Sequence, residues 1–234
     1  MIAWKQCAFS YDDLLIMDDF SFSLSESGTT VFLGPSGCGK TTMLNLAAGL
    51  LKVHSGRVIN SDENLSYLFQ KPRLLPWKSV LENICFALPQ GMSKGEKLSK
   101  CQSLIRMVGL EGFEDYQPSK LSGGMEQRTS IARAFVTERP LLLMDEPFKG
   151  LDLKLKMPLI DLLKELIQTR NTTAVLVTHD VREAILMGDR IVFLDGPPLE
   201  VIEDIEGLFP LDERNTASKK FYDMEKRLYS LIFK

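Results

Sequence analysis

The chain is short of several things. Across 234 residues it holds two histidines, two tryptophans and four cysteines, and its formal net charge is −3. The cysteines (Cys7, Cys38, Cys85 and Cys101) form no CxxC pair, so the usual dithiol and zinc patterns are missing and four reduced thiols are expected. No run approaches the roughly 18–20 apolar residues that a membrane span requires. The opening MIAWKQCAFSYDD lacks the charged and apolar regions of a secretion signal. A soluble chain is expected, with any membrane role reached through a partner. Mild acidity argues against a protein whose main task is coating nucleic acid, although a local basic patch stays open.

What the sequence does have is short apolar runs alternating with helical stretches. Residues 2–9 and 20–24 read as strands, FSFSL alternating at period two. TTVFL ends at the glycine-rich GPSGCGKTT of residues 34–42, and KTTMLNLAAGL predicts a helix that stops at Gly49. GRVIN and NLSYLFQ add two strands. From KPRLLPW onward the texture changes: 79–88 and 93–108 have helical spacing, and no strand signal returns until residue 140. This predicts a helical subdomain over 71–138 inserted into an α/β core of 1–70 and 139–205, followed by a helical tail over 206–234.

PLLLMDE is a continuous apolar run of the kind buried on both faces of a sheet. A helix through residue 169, the strand TAVLVTH, a short helix and the strand RIVFLDG follow. The alternation predicts a mostly parallel sheet with flanking helices, preceded by an antiparallel β subdomain. In the last helix, about 215–233, Phe221, Met224, Leu228 and Leu231 share one face, expected to pack on the core.

GPSGCGKTT satisfies G-x-x-x-x-G-K-[ST] between a strand and a helix, the context this motif needs. Gly34, Gly37 and Gly39 leave backbone N–H groups free to turn onto phosphate oxygens, and Pro35, Ser36 and Cys38 complete the loop. The helix start adds its positive end. Lys40 is expected to reach the β- and γ-phosphates, Thr41 to ligate Mg²⁺ and Thr42 to touch phosphate. Asp145, in LLLMDE, is the expected Mg²⁺ carboxylate, the one supplied by the second nucleotide motif. Glu146 follows it and is the expected general base toward an attacking water. A second small-residue turn, LSGGMEQR at 121–128, can form another anion cradle, with Ser122 as N-cap and Gly123 and Gly124 permitting close backbone approach.

Walker A at 34–42, Gln70 closing YLFQ, LSGGMEQR, Walker B at 141–146, KGLD and VTHD occur in this order. Over residues 1 to about 205 the set resembles the nucleotide-binding subunit of ATP-binding cassette (ABC) transporters. The resemblance implies one P-loop NTPase domain of this type over 1–234, hydrolysing ATP with Mg²⁺. It also implies an ATP-dependent head-to-tail homodimer, in which Ser122, Gly123 and Gly124 face the γ-phosphate held by the other subunit. Gln70 then resembles the glutamine that touches Mg²⁺ and the attacking water, and Asp152 the aspartate that crosses the interface. His179 resembles the histidine that contacts γ-phosphate. Tyr11 stands where an aromatic ring stacks on adenine, while Phe9 is the better core residue. Two positions depart from the pattern: Met125 replaces a glutamine, and Lys149 stands where a small residue is frequent.

The stretch QKPRLLPWKSVLENI resembles the ATPases of importers for nitrate, sulfonates, taurine and pyrimidine precursors. That implies an integral membrane permease as partner, a solute-binding protein indirectly, and a peripheral position on the cytoplasmic face of the membrane. Trp77, Leu74 and Leu75 are candidate permease contacts, with packing inside the subdomain as the other reading. A soluble or export-type ABC ATPase is the alternative class. A P-loop kinase or GTPase has no use for LSGGMEQR.

Overall fold

The structure, a computed structural model, describes residues 2–24, 27–60, 64–210, 213–214 and 216–232. These form two compact units, Met1–Leu65 with Thr173–Lys234, and Ser66–Thr172.

In the first unit, β1 (Ile2–Tyr11) and β2 (Leu14–Ser23) make an antiparallel hairpin, and β4 (Ser55–Asn60) pairs antiparallel on the other side of β1. Asp12 closes the hairpin at φ 46, a left-handed conformation that aspartate tolerates better than most residues. The sheet is anchored by Trp4, which is buried and meets Phe32 edge-on at 6.2 Å. Sequence reading began the second strand at residue 20. The missed part, LLIMDD, does not alternate cleanly because register shifts interrupt its pairing with β1.

The second sheet of this unit has β3 (Thr29–Leu33) parallel to both β7 (Thr173–Thr178) and β8 (Arg190–Asp195), with β9 (Glu200–Ile205) antiparallel on β8. All five residues of β3 are buried, as expected of a strand flanked on both sides and covered on both faces. The sequence reading placed no strand at β9: EVIEDI is acidic and largely exposed, which dilutes the strand signal. Helices α1 (Lys40–Ala47), α6 (Val181–Met187) and α7 (Lys219–Ile232) complete the unit. Asp180 caps α6 by accepting from the Arg182 and Glu183 amides. On α7, Phe221 and Leu228 are buried and Met224 and Leu231 half-buried, so the predicted stripe packs inward. Arg182 of α6 donates to Glu225 of α7 at 2.7 Å. Residues 215 and 233 of the predicted tail helix lie outside the described residues.

In the second unit, β5 (Leu65–Leu68) and β6 (Leu141–Asp145) are hydrogen-bonded neighbours. Between them come α2 (Val80–Cys85), α3 (Lys94–Met107), a 3-10 turn at Pro118–Lys120 and α4 (Gly123–Phe135); α5 (Leu153–Thr169) follows β6. Both α2 and α3 start with a full capping box, Ser79 with Glu82 and Ser93 with Glu96. Asn83 is buried, accepting from the Leu75 amide and donating to carbonyls of Leu75, Lys78 and Ser79, which fixes the loop ahead of α2. Cys85 and Cys101 are joined as a disulfide with Cα atoms 6.0 Å apart. The expectation of four reduced thiols is corrected at this pair, because two helices bring together positions that no local spacing links.

Candidate active site

The chain leaves β3 directly into the glycine loop. A Cβ on Gly34 would lie 2.2 Å from the Leu194 carbonyl oxygen, so the loop can pass this strand only with glycine there. Gly39 occupies the N-cap of α1 at φ 114, and a Cβ would meet Ile16 at 2.9 Å. With glycine at the cap, no side chain closes the first turn of α1, and the positive helix end is left to whatever anion approaches. Lys40 is almost fully buried, and its ammonium donates to the carbonyls of Gly34 at 2.8 Å and Pro35 at 2.6 Å. A buried cation is tolerable only with such partners. Here they hold it in the mouth of the loop.

Pro35, Ser36, Gly37 and Thr41 are exposed, whereas Cys38, Gly39 and Thr42 are buried. A Cβ on Gly37 would meet nothing within 4 Å, so the loop faces open space on that side. A loop open beside Gly37, a fixed ammonium and an uncapped helix start together fit a polyphosphate. Burial pushes the Cys38 thiol up from its ordinary value, with the Lys40 ammonium as the main opposing influence. Cys38 is therefore a closed, poorly reactive thiol.

Tyr11 ends β1 and is 44 % exposed, its ring edge-on to Phe9 at 4.9 Å. Phe9 is buried and stacks on His54, as a core residue should. His179 follows β7 and is exposed. Its turn is held on both sides: Thr178 donates to the buried Glu183 carboxylate at 2.5 Å and accepts from the Asp180 amide at 3.1 Å.

In the second unit, Asp145 and Glu146 leave β6 as buried carboxylates, 7 % and 8 % exposed. Glu146 has φ 43, which is uncommon for a residue with a side chain, and conformations of this kind concentrate at functional sites. Its carboxylate meets the Lys149 ammonium at 2.5 Å. The Tyr67 hydroxyl is pushed far above its usual range, first by burial and then by the Asp145 carboxylate, so it stays protonated. Gln70 is exposed just past β5.

Ser122 caps α4, accepting from the Met125 amide at 3.4 Å. Gly123 is exposed; Gly124 is buried, and a Cβ there would touch Leu155 at 3.4 Å. Asp152 caps α5, accepting from the Leu155 amide at 3.0 Å. Sequence reading passed over Gln127. Buried in α4, it donates to the Pro147 carbonyl at 2.7 Å and so ties the LSGG helix to the residue after Glu146. The only trace of this role in the sequence is a polar residue on the inward face of a helix.

The chain matches the ABC transporter family over residues 17–149. It is 35 % identical over 233 residues to an uncharacterized ABC transporter ATP-binding protein of Methanocaldococcus jannaschii, covering 96 % of this chain and 86 % of that one.

The chain belongs to the ABC transporter family.

An aliphatic sulfonates import ATP-binding protein of Pseudomonas savastanoi pv. phaseolicola is 40 % identical over 190 residues, 81 % of this chain and 78 % of that protein. Among solved structures, an ATP-binding cassette dimer in a post-hydrolysis state with ADP and Pi superposes with a TM-score of 0.76 at 30 % identity, covering 88 % of this chain and 98 % of that one. The chain is thus an ABC ATPase, and ATP is its nucleotide.

Proposed function

We propose that this ABC ATPase is the energy-supplying subunit of an importer, working as an ATP-dependent head-to-tail homodimer beneath a separate membrane permease. The observation that carries this reading is the phosphate loop with its fixed Lys40 ammonium, in a chain similar to import ATPases. A spermidine/putrescine import ATP-binding protein of Haemophilus influenzae, of whose length this chain covers 59 %, is also 38 % identical over 218 residues. No helix of the described residues is long and apolar enough to cross a membrane. Trp77 is 68 % and Phe86 64 % exposed at the start and end of the α2 region, which supports a protein partner there. A small organic ion, or a solute of the nitrate, sulfonate, taurine or pyrimidine-precursor type, is the solute class, with a solute-binding protein delivering it. The site of action is the cytoplasmic face of the membrane.

In the hydrolytic step, Glu146 takes a proton from water as it attacks the γ-phosphate in line. Lys40 and His179 stabilise the charge that develops, and Gln70 orients the water. Asp145 is a buried carboxylate, and the donors proposed with it are oxygens too, the ligand type a hard cation such as Mg²⁺ takes. Thr41, Asp145 and Gln70 would hold Mg²⁺, which neutralises phosphate charge. Ser122, Gly123 and Gly124 serve the nucleotide of the second subunit, Asp152 lies at the subunit boundary, and Tyr11 stacks on adenine.

Glu146→Gln should bind ATP, accumulate as a dimer and turn over roughly 10²–10⁴-fold more slowly, the usual loss for a general base. Wild-type turnover in that variant would remove Glu146 from the role. The importer reading is tested by affinity capture of the tagged chain from gently solubilised membranes. A multi-span permease in near-equal amount supports it; recovery only with soluble ribosomal, DNA-repair or cluster-assembly proteins overturns it.

A further inference from the structure

The residue three places after the proposed base is a lysine, in EPFKGLD, and it lies against that base. The Lys149 amide donates to the Glu146 carbonyl at 3.1 Å, closing a tight turn, and its ammonium lies 2.5 Å from Glu146 Oε2. That oxygen is shut off from solvent. The two side chains differ in setting: Glu146 is 10 % exposed and Lys149 is 42 % exposed. The lysine therefore reaches in from the surface to a carboxylate that is itself enclosed. Both partners belong to one turn of one chain, so the pair forms without help from a second subunit.

We infer that Lys149 is a positioning residue that restrains Glu146, holding its carboxylate as a salt bridge and away from proton-acceptor duty until the lysine withdraws. This rests on the reading of Glu146 as the general base. A carboxylate can accept a proton from water only through a lone pair aimed at that water. An ammonium at salt-bridge distance competes electrostatically with that water for the carboxylate. The half-exposed lysine gives up little when it leaves, because its charge is readily resolvated, so the restraint is reversible rather than a permanent block. Withdrawal breaks no covalent bond and transfers no proton.

The test is steady-state ATP hydrolysis by the full chain, with kcat and KM for ATP separated. Lys149→Ala should raise kcat about 2- to 10-fold, the range of a partly exposed ion pair, with KM for ATP unchanged. Lys149→Arg keeps the charge and should fall between wild type and the alanine variant. In a Glu146→Gln background, Lys149→Ala should have no effect on the residual rate. An unchanged kcat in Lys149→Ala would overturn the restraint, and a lowered kcat would show that the lysine assists turnover instead. Either result, with Glu146→Gln still inactive, leaves the general-base reading standing. Wild-type turnover in Glu146→Gln alone would remove that reading and the inference together. Equal thermal midpoints for wild type and Lys149→Ala exclude a folding effect as the source of any change.

Discussion

The helix after the glycine loop and the helix after LSGG both begin in small residues, yet the two starts are built differently. At α1 the cap residue is Gly39, in a left-handed conformation with a neighbour 2.9 Å from where a Cβ would sit, and a buried lysine ammonium is bonded to the loop carbonyls. At α4 the cap is Ser122, in an extended conformation, whose hydroxyl accepts weakly from its own helix at 3.4 Å; a Cβ on Gly123 would meet nothing within 4 Å. The first start is locked by sterics and carries its own cation. The second carries no cation, has Glu126 in its first turn, and is capped by a hydrogen bond near the limit of length, which another acceptor can replace. Such a difference suits a loop that holds its own nucleotide and a turn that is offered to a nucleotide held elsewhere.

The sharpest way to break this contrast is a paired substitution. Gly39→Ala must hold a side chain at φ 114 against Ile16 and should lose about 1–3 kcal/mol of stability together with ATP binding. Gly123→Ala has room and no left-handed backbone, so its stability should stay within about 0.5 kcal/mol. Thermal unfolding and nucleotide titration read both; equal losses would erase the distinction. Next in size, Ser122→Ala removes the α4 cap and should cost about 1 kcal/mol, with ATP binding to the glycine loop unaffected by titration. Loss of that binding would mean that the turn serves its own chain's nucleotide. The smallest effect is expected from Met125→Gln. The cap uses the backbone amide of residue 125, so stability should move by no more than about 0.5 kcal/mol, and any change in ATPase rate is assignable to the side chain itself.

The glycine loop was legible because its pattern fixes backbone conformation residue by residue, and nothing distant is needed to recognise it. The buried strand LLLMD was legible because burial on both faces leaves a nearly unbroken apolar run, and TTVFL and TAVLVT because they are short runs rich in β-branched residues. What escaped has non-local causes. The first half of β2 pairs through register shifts, and β9 depends on β8 for its hydrogen bonds. The Cys85–Cys101 bond depends on two helices packing together. Lys149 could be noticed as an odd residue, but its ion pair with Glu146 rests on a left-handed residue that no pattern announces. Tyr67 reads as an ordinary strand residue, and nothing in the pattern announces that burial and then Asp145 keep its hydroxyl protonated.

The parallel pairing of β3 also governs when this molecule can take shape on a ribosome. Its strand partners are distant in the chain: Thr29 is matched with Ala174, and Thr30 with both Val175 and Arg190. The hairpin of β1 and β2 can close as soon as it emerges, since its contacts are local. TTVFL cannot, and at roughly 5–20 residues per second the wait for its neighbours lasts on the order of ten to thirty seconds. Through that interval the strand that will present the glycine loop is an uncovered apolar segment, and the nascent chain is most exposed to chaperones, and to aggregation, next to its most constrained turn.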